Sequence, residues 1–283
     1  MARQIKIESG VLNIRMHPHS GEKYVDLLKF VYGRKNIVKL RGDRHAMISL
    51  LDSRSTSDGY VAGLLATFVN VEFDGSWFDT DKLGQANSDD LREVNIPENL
   101  RPNSASFRFY FDIPSHRLYF QTYTQGKTLT PQSAMRVFTA LFDDLRVREK
   151  FGDIKVTLVQ SKTNLTRLFS LEVIKEVDII IEKPNADIFA DDFEDQIEEH
   201  LEKSNSREIR IIYRAERGGS IIPSQEMKNI SEAALENGRV VVRGRDAKGA
   251  TTRSSDDMPR ILHDKYDPSE STEEAAFRAL MPK

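Results

Sequence analysis

Three features of the sequence predict an α+β protein. Apolar and polar residues alternate through most of the first 124 positions, as half-buried antiparallel strands require. Thr130-Pro131 opens a long helical pattern, because Thr caps a helix start and Pro suits its first position. From 153 onward strand and helix patterns alternate, and they run into a basic hairpin. The expected layout is a mainly antiparallel β part with one long helix, followed by an α/β part ending in the basic hairpin. Its boundaries are a β domain over 1–130, a connecting helix over 131–152 and an α/β domain over 153–283.

Ile5, Ile7, Val11, Leu12 and Ile14 alternate and predict one or two strands around Gly10. Tyr24, Leu27, Leu28 and Val31 share one helical face, which predicts a helix over 22–32. Gly33 would end it, since Gly accepts the left-handed turn. Residues 37–40 and 45–50 read as a hairpin turning at Arg41-Gly42-Asp43-Arg44. Leu64, Ala66, Phe68, Val71 and Phe73 predict a strand pair over 60–73. The acidic stretch 74–104, with Trp77, Phe78, Pro97 and Pro102, reads as a long loop pinned by a few aromatics.

Phe107, Phe109, Phe111, Leu118 and Phe120 alternate around Ile113-Pro114-Ser115-His116, a hairpin with one buried face. Tyr110, Tyr119 and Tyr123 fall on the other face, where exposed rings could stack bases. Met135, Phe138, Leu141, Phe142 and Leu145 extend one helix of about twenty residues, which Gly152 stops.

Ile154–Val159 reads as a strand and Asn164–Leu171 as a short helix. The continuous apolar run Val177–Ile181 suggests an interior strand. Asp187–Lys203 is an amphipathic helix with Phe193, Ile197 and Leu201 inward. A strand follows over 209–213 and a helix over 224–236, closed by Asn237-Gly238. Residues 239–245 and 250–254 form a hairpin around 246–249. A strand near 260–266 and a short helix over 271–280 complete the chain.

The chain has 39% apolar residues and no cysteine. That is enough for a core, and it excludes disulfides and Cys-ligated metal sites. The segment MARQIKIESG lacks a signal-peptide core, and no apolar run reaches the roughly 18 residues of a membrane span. A cytoplasmic protein with no membrane contact is expected. There is no Walker A loop, GxGxxG, GxSxG or HExxH, so no cofactor is expected and no catalytic constellation stands out. His17-Pro18-His19 is the only close histidine pair. It reads as a polar turn, because a metal needs further converging ligands.

Charge is strongly segregated although the whole chain sums to −3. Residues 1–50 carry ten Lys/Arg against four acids, and residues 170–204 carry twelve acids against three bases. Asp191, Asp192, Glu194, Asp195, Glu198, Glu199 and Glu202 fall opposite the apolar face of their helix. They read as a solvated face, or else as a docking surface for a basic partner. Arg34, Lys35, Lys39, Arg41 and Arg44 form one candidate phosphate-binding ribbon. Arg243, Arg245, Lys248 and Arg253 form a second, with Arg239 on the face of Arg243 and Arg245. A two-stranded basic ribbon fits the major groove and neutralises phosphates. Gly244 and Gly249 would let a backbone or phosphate approach closely. The expectation is that both ribbons meet in one groove.

The motifs GVLNIRMHPHS (10–20), KLRGDRHAM (39–47), SWFD (76–79), IPENLRPN (96–103), FRFYFD…HRLYF (107–120) and GKTLTP (126–131) resemble a bacterial family of unknown function. That family is met mainly in genome neighbourhoods, antiphage defence regions among them. More distantly, VDIIIEKP (177–184), REIRIIYRAE (207–216) and the basic hairpin resemble the RexA phage exclusion proteins and the KwaB proteins of Kiwa systems. That resemblance implies DNA binding, frequent dimerisation and a role in sensing or inhibiting phage replication.

The expected function is therefore nucleic-acid binding in antiphage defence, with DNA as the partner and a homodimer as a possible state. Two rivals stand beside it. One is a divergent metal-dependent nuclease using Asp178 and Glu182, whose spacing departs from the nuclease pattern. The other is a protein-interaction subunit of a defence or toxin complex.

Overall fold

One long strand, β1 (Ile5–Met16), carries neighbours on both sides and burial on both faces. The structure is a computed structural model that describes residues 4–282 except 18–19, 72–74, 93, 95, 98, 184–196, 198 and 202. On one side β1 pairs with β8 (Arg117–Gln121), followed outward by β7 (Ala105–Asp112), β4 (Tyr60–Val69), β3 (Arg44–Asp52) and β2 (Val38–Arg41). On its other side β1 pairs first with β16 (Ile261–Tyr266) and then with β11 (Ile154–Leu158). All of these pairings are antiparallel.

The alternation along β1 decides what covers it. Leu12, Ile14 and Met16 enter a core with Phe107, Phe109, Phe111, Leu118 and Phe120. The helices Gly21–Arg34 and Pro131–Phe142 close that core. On the opposite face Ile7 packs with Tyr110 and Phe277, and Val11 packs with Tyr119 and Val159. Phe277 belongs to the helix Glu273–Ala279, which Thr272 caps through its hydroxyl. Burying both faces explains why 10–16 is buried without a break.

A second, four-stranded antiparallel sheet runs β13 (Glu208–Arg214), β12 (Val173–Glu182), β14 (Gly238–Asp246), β15 (Gly249–Ser254). Val177, Ile179, Ile181, Val240 and Val242 face the helix Gln225–Asn237, where Met227, Ala234 and Leu235 meet them. Ile197 and Leu201, both helical, join this core. The α+β class holds, and β12 is the interior strand that its apolar run predicts. Among the described residues no helix is long and apolar enough to cross a membrane.

Several local expectations change. Residues 5–16 form one strand, because the Phe120 ring lies across Gly10 and keeps the strand paired there. The first helix runs through Gly33 and stops at Lys35, which takes the left-handed conformation at φ 53°. Residues 60–69 are a single strand rather than part of a pair. The loop 74–104 contains the short ladder β5 (Phe78–Asp79) with β6 (Gly84–Gln85) and a helical turn Ser88–Leu91, boxed by Asn87 and Asp90. A second short ladder, β9 (Tyr123–Thr124) with β10 (Lys127–Thr128), follows the aromatic hairpin.

The twenty-residue helix is two helices, Pro131–Phe142 and Leu145–Phe151. Asp144 breaks it: its carboxylate caps the second helix at Arg146 N (3.1 Å) and also accepts from Arg34 and Asn36. Strands 154–158 and 261–266, expected beyond the connecting helix, pair with β1 in the first sheet. The basic hairpin is therefore followed by a return to that sheet. Of the acidic helix 187–203, Asp191, Asp192, Glu194, Asp195, Glu198 and Glu202 lie outside the described residues.

Gly10 and Gly63 each lie directly opposite a phenylalanine, Phe120 and Phe109. A Cβ at Gly10 would stand 2.3 Å from Phe120 Cζ. Gly10→Ala is expected to cost about 1–3 kcal/mol by overpacking. Adding Phe120→Leu should recover part of that loss, read as the urea midpoint of the double variant against both singles. Strict additivity of the two losses would contradict the ring-over-glycine contact.

Candidate nucleic-acid interface

The first ribbon is built by β2, β3 and the end of the helix before them. Its turn is set by Gly42 at φ 56°, and β2 is the outer edge of the first sheet. The register places Lys39 opposite His45 and Arg41 opposite Arg44. Like charges directly opposite each other in a ladder repel. Lys35, Lys39 and Arg41 are exposed, and none of them has a carboxylate partner among the described residues. Arg44 donates to Thr67 Oγ1 at 2.9 Å, which fixes its direction without neutralising it. Arg34 differs: it is tied to Asp144 at 3.2 Å and holds the helix break in place.

The second ribbon splits between two faces. Arg239, Val241, Arg243 and Arg245 alternate with the core residues Val240 and Val242 and point away from the core. Arg253 lies opposite Val242 in the ladder, and its Nη1 donates to Ser170 Oγ at 2.7 Å and to Arg167 O. It thus leaves the face that Arg243 and Arg245 share, so the candidate cations do not line a single groove. Gly244 has a structural task, because a Cβ there would stand 2.0 Å from Val173 O of β12. Gly249 supplies the turn at φ 118°.

The outward face of this second sheet is neutralised strand by strand. Glu176 accepts from Arg214 at 3.0 Å and also from Arg243, so one carboxylate on β12 serves both neighbours. Arg210 donates Nε and Nη2 to Asp178 at 2.8 and 2.6 Å. Arg239 lies 4.0 Å from Asp256. Arg245 and Lys248, at the turn end of the hairpin, are exposed without a carboxylate partner among the described residues.

Asp178 and Glu182 lie on one face of β12, about 13 Å apart along the strand at four residues' separation. That exceeds the span of one metal ion. The hydrogen bonds from Arg210 hold the Asp178 carboxyl below its ordinary value. Among the described residues no group of three His, Asp or Glu side chains is placed to hold a metal. Of the histidine pair only His17 is described. Tyr110 and Tyr119 lie on the face expected for them, but both are buried, and Tyr110 stacks on Phe277 at 5.6 Å. The helix Glu273–Ala279 covers Tyr110, while Val159 and Leu262 cover Tyr119, and Tyr123 is the exposed ring of the three.

A polar seam that periodicity does not reveal joins the two sheets. Asn13 and Arg15 leave β1 on the face opposite Leu12 and Ile14, where the second sheet covers them. Asn13 Nδ2 donates to Asn237 Oδ1 at 3.0 Å. Arg15 donates to Glu182 Oε2 at 2.5 Å and to Lys183 O at 3.0 Å. Lys155, directly opposite Arg15 in the ladder, reaches Glu182 at 3.4 Å. Arg117 and Lys162 reach Glu236 at 2.7 and 3.0 Å. Burial pushes the Glu182 carboxyl up, but Arg15 and Lys155 outweigh it and hold the group below its ordinary value. Burial acts the same way on Glu236, and Arg117 with Lys162 and Arg260 outweighs it. The one sequence signal of the seam is Asn13 and Arg15 in an otherwise apolar run, VLNIRM.

Residues 5–282 match the family model described as Domain of unknown function (DUF4747). No curated protein matches the chain.

The seam carboxylates fix a pH dependence. Glu182 and Glu236 both titrate below the ordinary 4.5 in the folded chain. Each therefore contributes stability that is complete above 4.5 and is lost as pH falls through the lower folded value. Urea midpoints should decline below about pH 4.5. Glu182→Gln should remove part of that decline and cost up to about 3 kcal/mol near neutrality, because Arg15 is left buried and uncompensated. An unchanged acid limb in Glu182→Gln would rule out the pair as its source.

Proposed function

The chain belongs to the DUF4747 family, a domain of unknown function, and from that premise we propose that it binds the phosphate backbone of a nucleic acid, DNA in preference. The binding surface is the ribbon of Lys35, Lys39, Arg41 and Arg44. Arg245 and Lys248 form a secondary contact at the tip of the other hairpin. One observation carries the reading. On other strands Arg15, Arg117, Arg210, Arg214 and Arg243 are each matched by a carboxylate. The 38–45 ribbon instead sets Arg41 against Arg44, and although Asp43 lies in the turn between them it forms no ion pair with either. A polyanion relieves that repulsion and gains from counterion release. Phosphate contacts fix position without reading bases, so weak sequence preference goes with this surface.

The same reading places the protein in the bacterial cytoplasm, acting as a sensor or inhibitor of phage replication. Support for that setting is the motif resemblance to phage exclusion and Kiwa proteins, which also motivates a homodimer.

Fluorescence anisotropy with a short DNA duplex across a salt series tests the ribbon. Four phosphate contacts give a log–log slope of about −3.6. Lys39→Gln/Arg41→Gln should lower its magnitude by about 1.8 and weaken binding at low salt. Arg253→Gln, on the opposite face of its sheet, should leave the slope unchanged. Affinity that is flat with salt, or equal in wild type and the ribbon variant, would refute the proposal.

A further inference from the structure

β13 ends the second sheet, and among the described residues no strand pairs with its outer edge. Lys183 N–H donates to Arg207 O at one end of its ladder with β12, and Ala215 N–H donates to Lys175 O at the other. Hydrogen-bonded pairs alternate along an antiparallel ladder, so the odd-numbered residues of β13 bond to β12. The N–H and C=O groups of Glu208, Arg210, Ile212 and Arg214 therefore point outward, and no other described segment bonds to them. Such an edge is a template for a further strand.

The sequence of β13 says which strand fits. Ile209, Ile211 and Tyr213 lie partly buried on the core face, and Glu208, Arg210, Ile212 and Arg214 lie on the other. An antiparallel strand of the same sequence, centred on Ile211, keeps both faces in step. It sets Ile211 against itself, Ile209 against Tyr213 and Glu208 against Arg214. Two-fold symmetry makes the last pair, of opposite charge, at both ends. Within the chain Glu208 stands opposite Glu182, a like charge, and its ion pair is with the exposed Arg207 at 3.5 Å. Arg214, 70% exposed, shares the Glu176 carboxylate with Arg243. A second copy would bring a cation to Glu208 and a further acid to Arg214. The hairpin edges offer no such match. β2 carries Lys39 and Arg41 with no acid, and β15 has no large apolar side chain.

We infer that a second copy of this chain docks along β13, joining two four-stranded sheets into one continuous sheet. This gives the homodimer of the proposed function a surface, and it rests on the register of β13 rather than on phosphate binding. Sedimentation equilibrium of the full chain across a wide concentration range tests it. Wild type should dimerise. Ile212→Pro removes one outward N–H and spares the bonds to β12, a change that edge strands tolerate. It should weaken the dimer about tenfold or more. Glu208→Arg and Arg214→Glu each set like charges across the new ladder and should weaken their own dimers to a similar degree. Mixed together, these two variants regain opposite charges at both positions and should associate as wild type does. Unfolded chains could not do so, which separates lost pairing from lost folding. A wild type that stays monomeric would refute the homodimer and the edge together. A dimer that Ile212→Pro leaves intact, or a mixture that associates no better than its components, would refute the edge alone.

Discussion

The ion pair between Arg15 and Glu182 holds the two halves of this molecule in register. It joins β1, the spine of the larger sheet, to β12, the centre of the smaller one. Around it the seam is polar: Asn13 with Asn237, Arg117 and Lys162 with Glu236, and Gln160 with Gly238 O at 2.8 Å. The two large apolar cores stay on their own sides of these contacts. A surface pair contributes about 0–1 kcal/mol, whereas stripping one partner from a buried pair costs several. Arg15 belongs to the second class. The join is therefore strong when complete and intolerant of a missing member.

The same rule of compensation organises the charge of the whole chain. β12 supplies Glu176, Asp178 and Glu182 from one face, and arginines from neighbouring strands are drawn to each. Acids segregated in the sequence are spent on bases segregated elsewhere in it. Among the described residues the hairpin cations Lys35, Lys39, Arg41, Arg245 and Lys248 keep no carboxylate partner. A near-neutral protein thus keeps a few local positive fields, the kind that steer an anionic partner.

Most strands, the Thr130 cap and the Gly152 stop were legible in the sequence, because alternation and capping are local properties. Periodicity assigns a residue to a face but does not say what covers it. The alternation places Tyr110 and Tyr119 on the correct face, yet Tyr110 is covered by a helix some 160 residues further along the chain and Tyr119 by Val159 and Leu262. Strands 154–158 and 261–266 read as strands, but their partner is β1, a choice made at long range. The break at Asp144 was hidden because its apolar neighbours keep helical spacing while Arg34 and Asn36 pull its carboxylate aside. Arg34 and Arg253 counted as free cations by composition, and folding gives both of them structural bonds. Arg15 and Lys155 were missed because they converge on Glu182 from separate segments.

After folding, the ribbon cations Lys35, Lys39 and Arg41 form no ion pair among the described residues. Hydrogen–deuterium exchange of the full chain, with and without a short DNA duplex, tests directly whether those cations take the phosphates. Slowed exchange over 38–45, with the interior strand 173–182 unchanged, is the expected result. Slowing elsewhere with 38–45 unaffected would contradict the assignment of that hairpin as the binding surface.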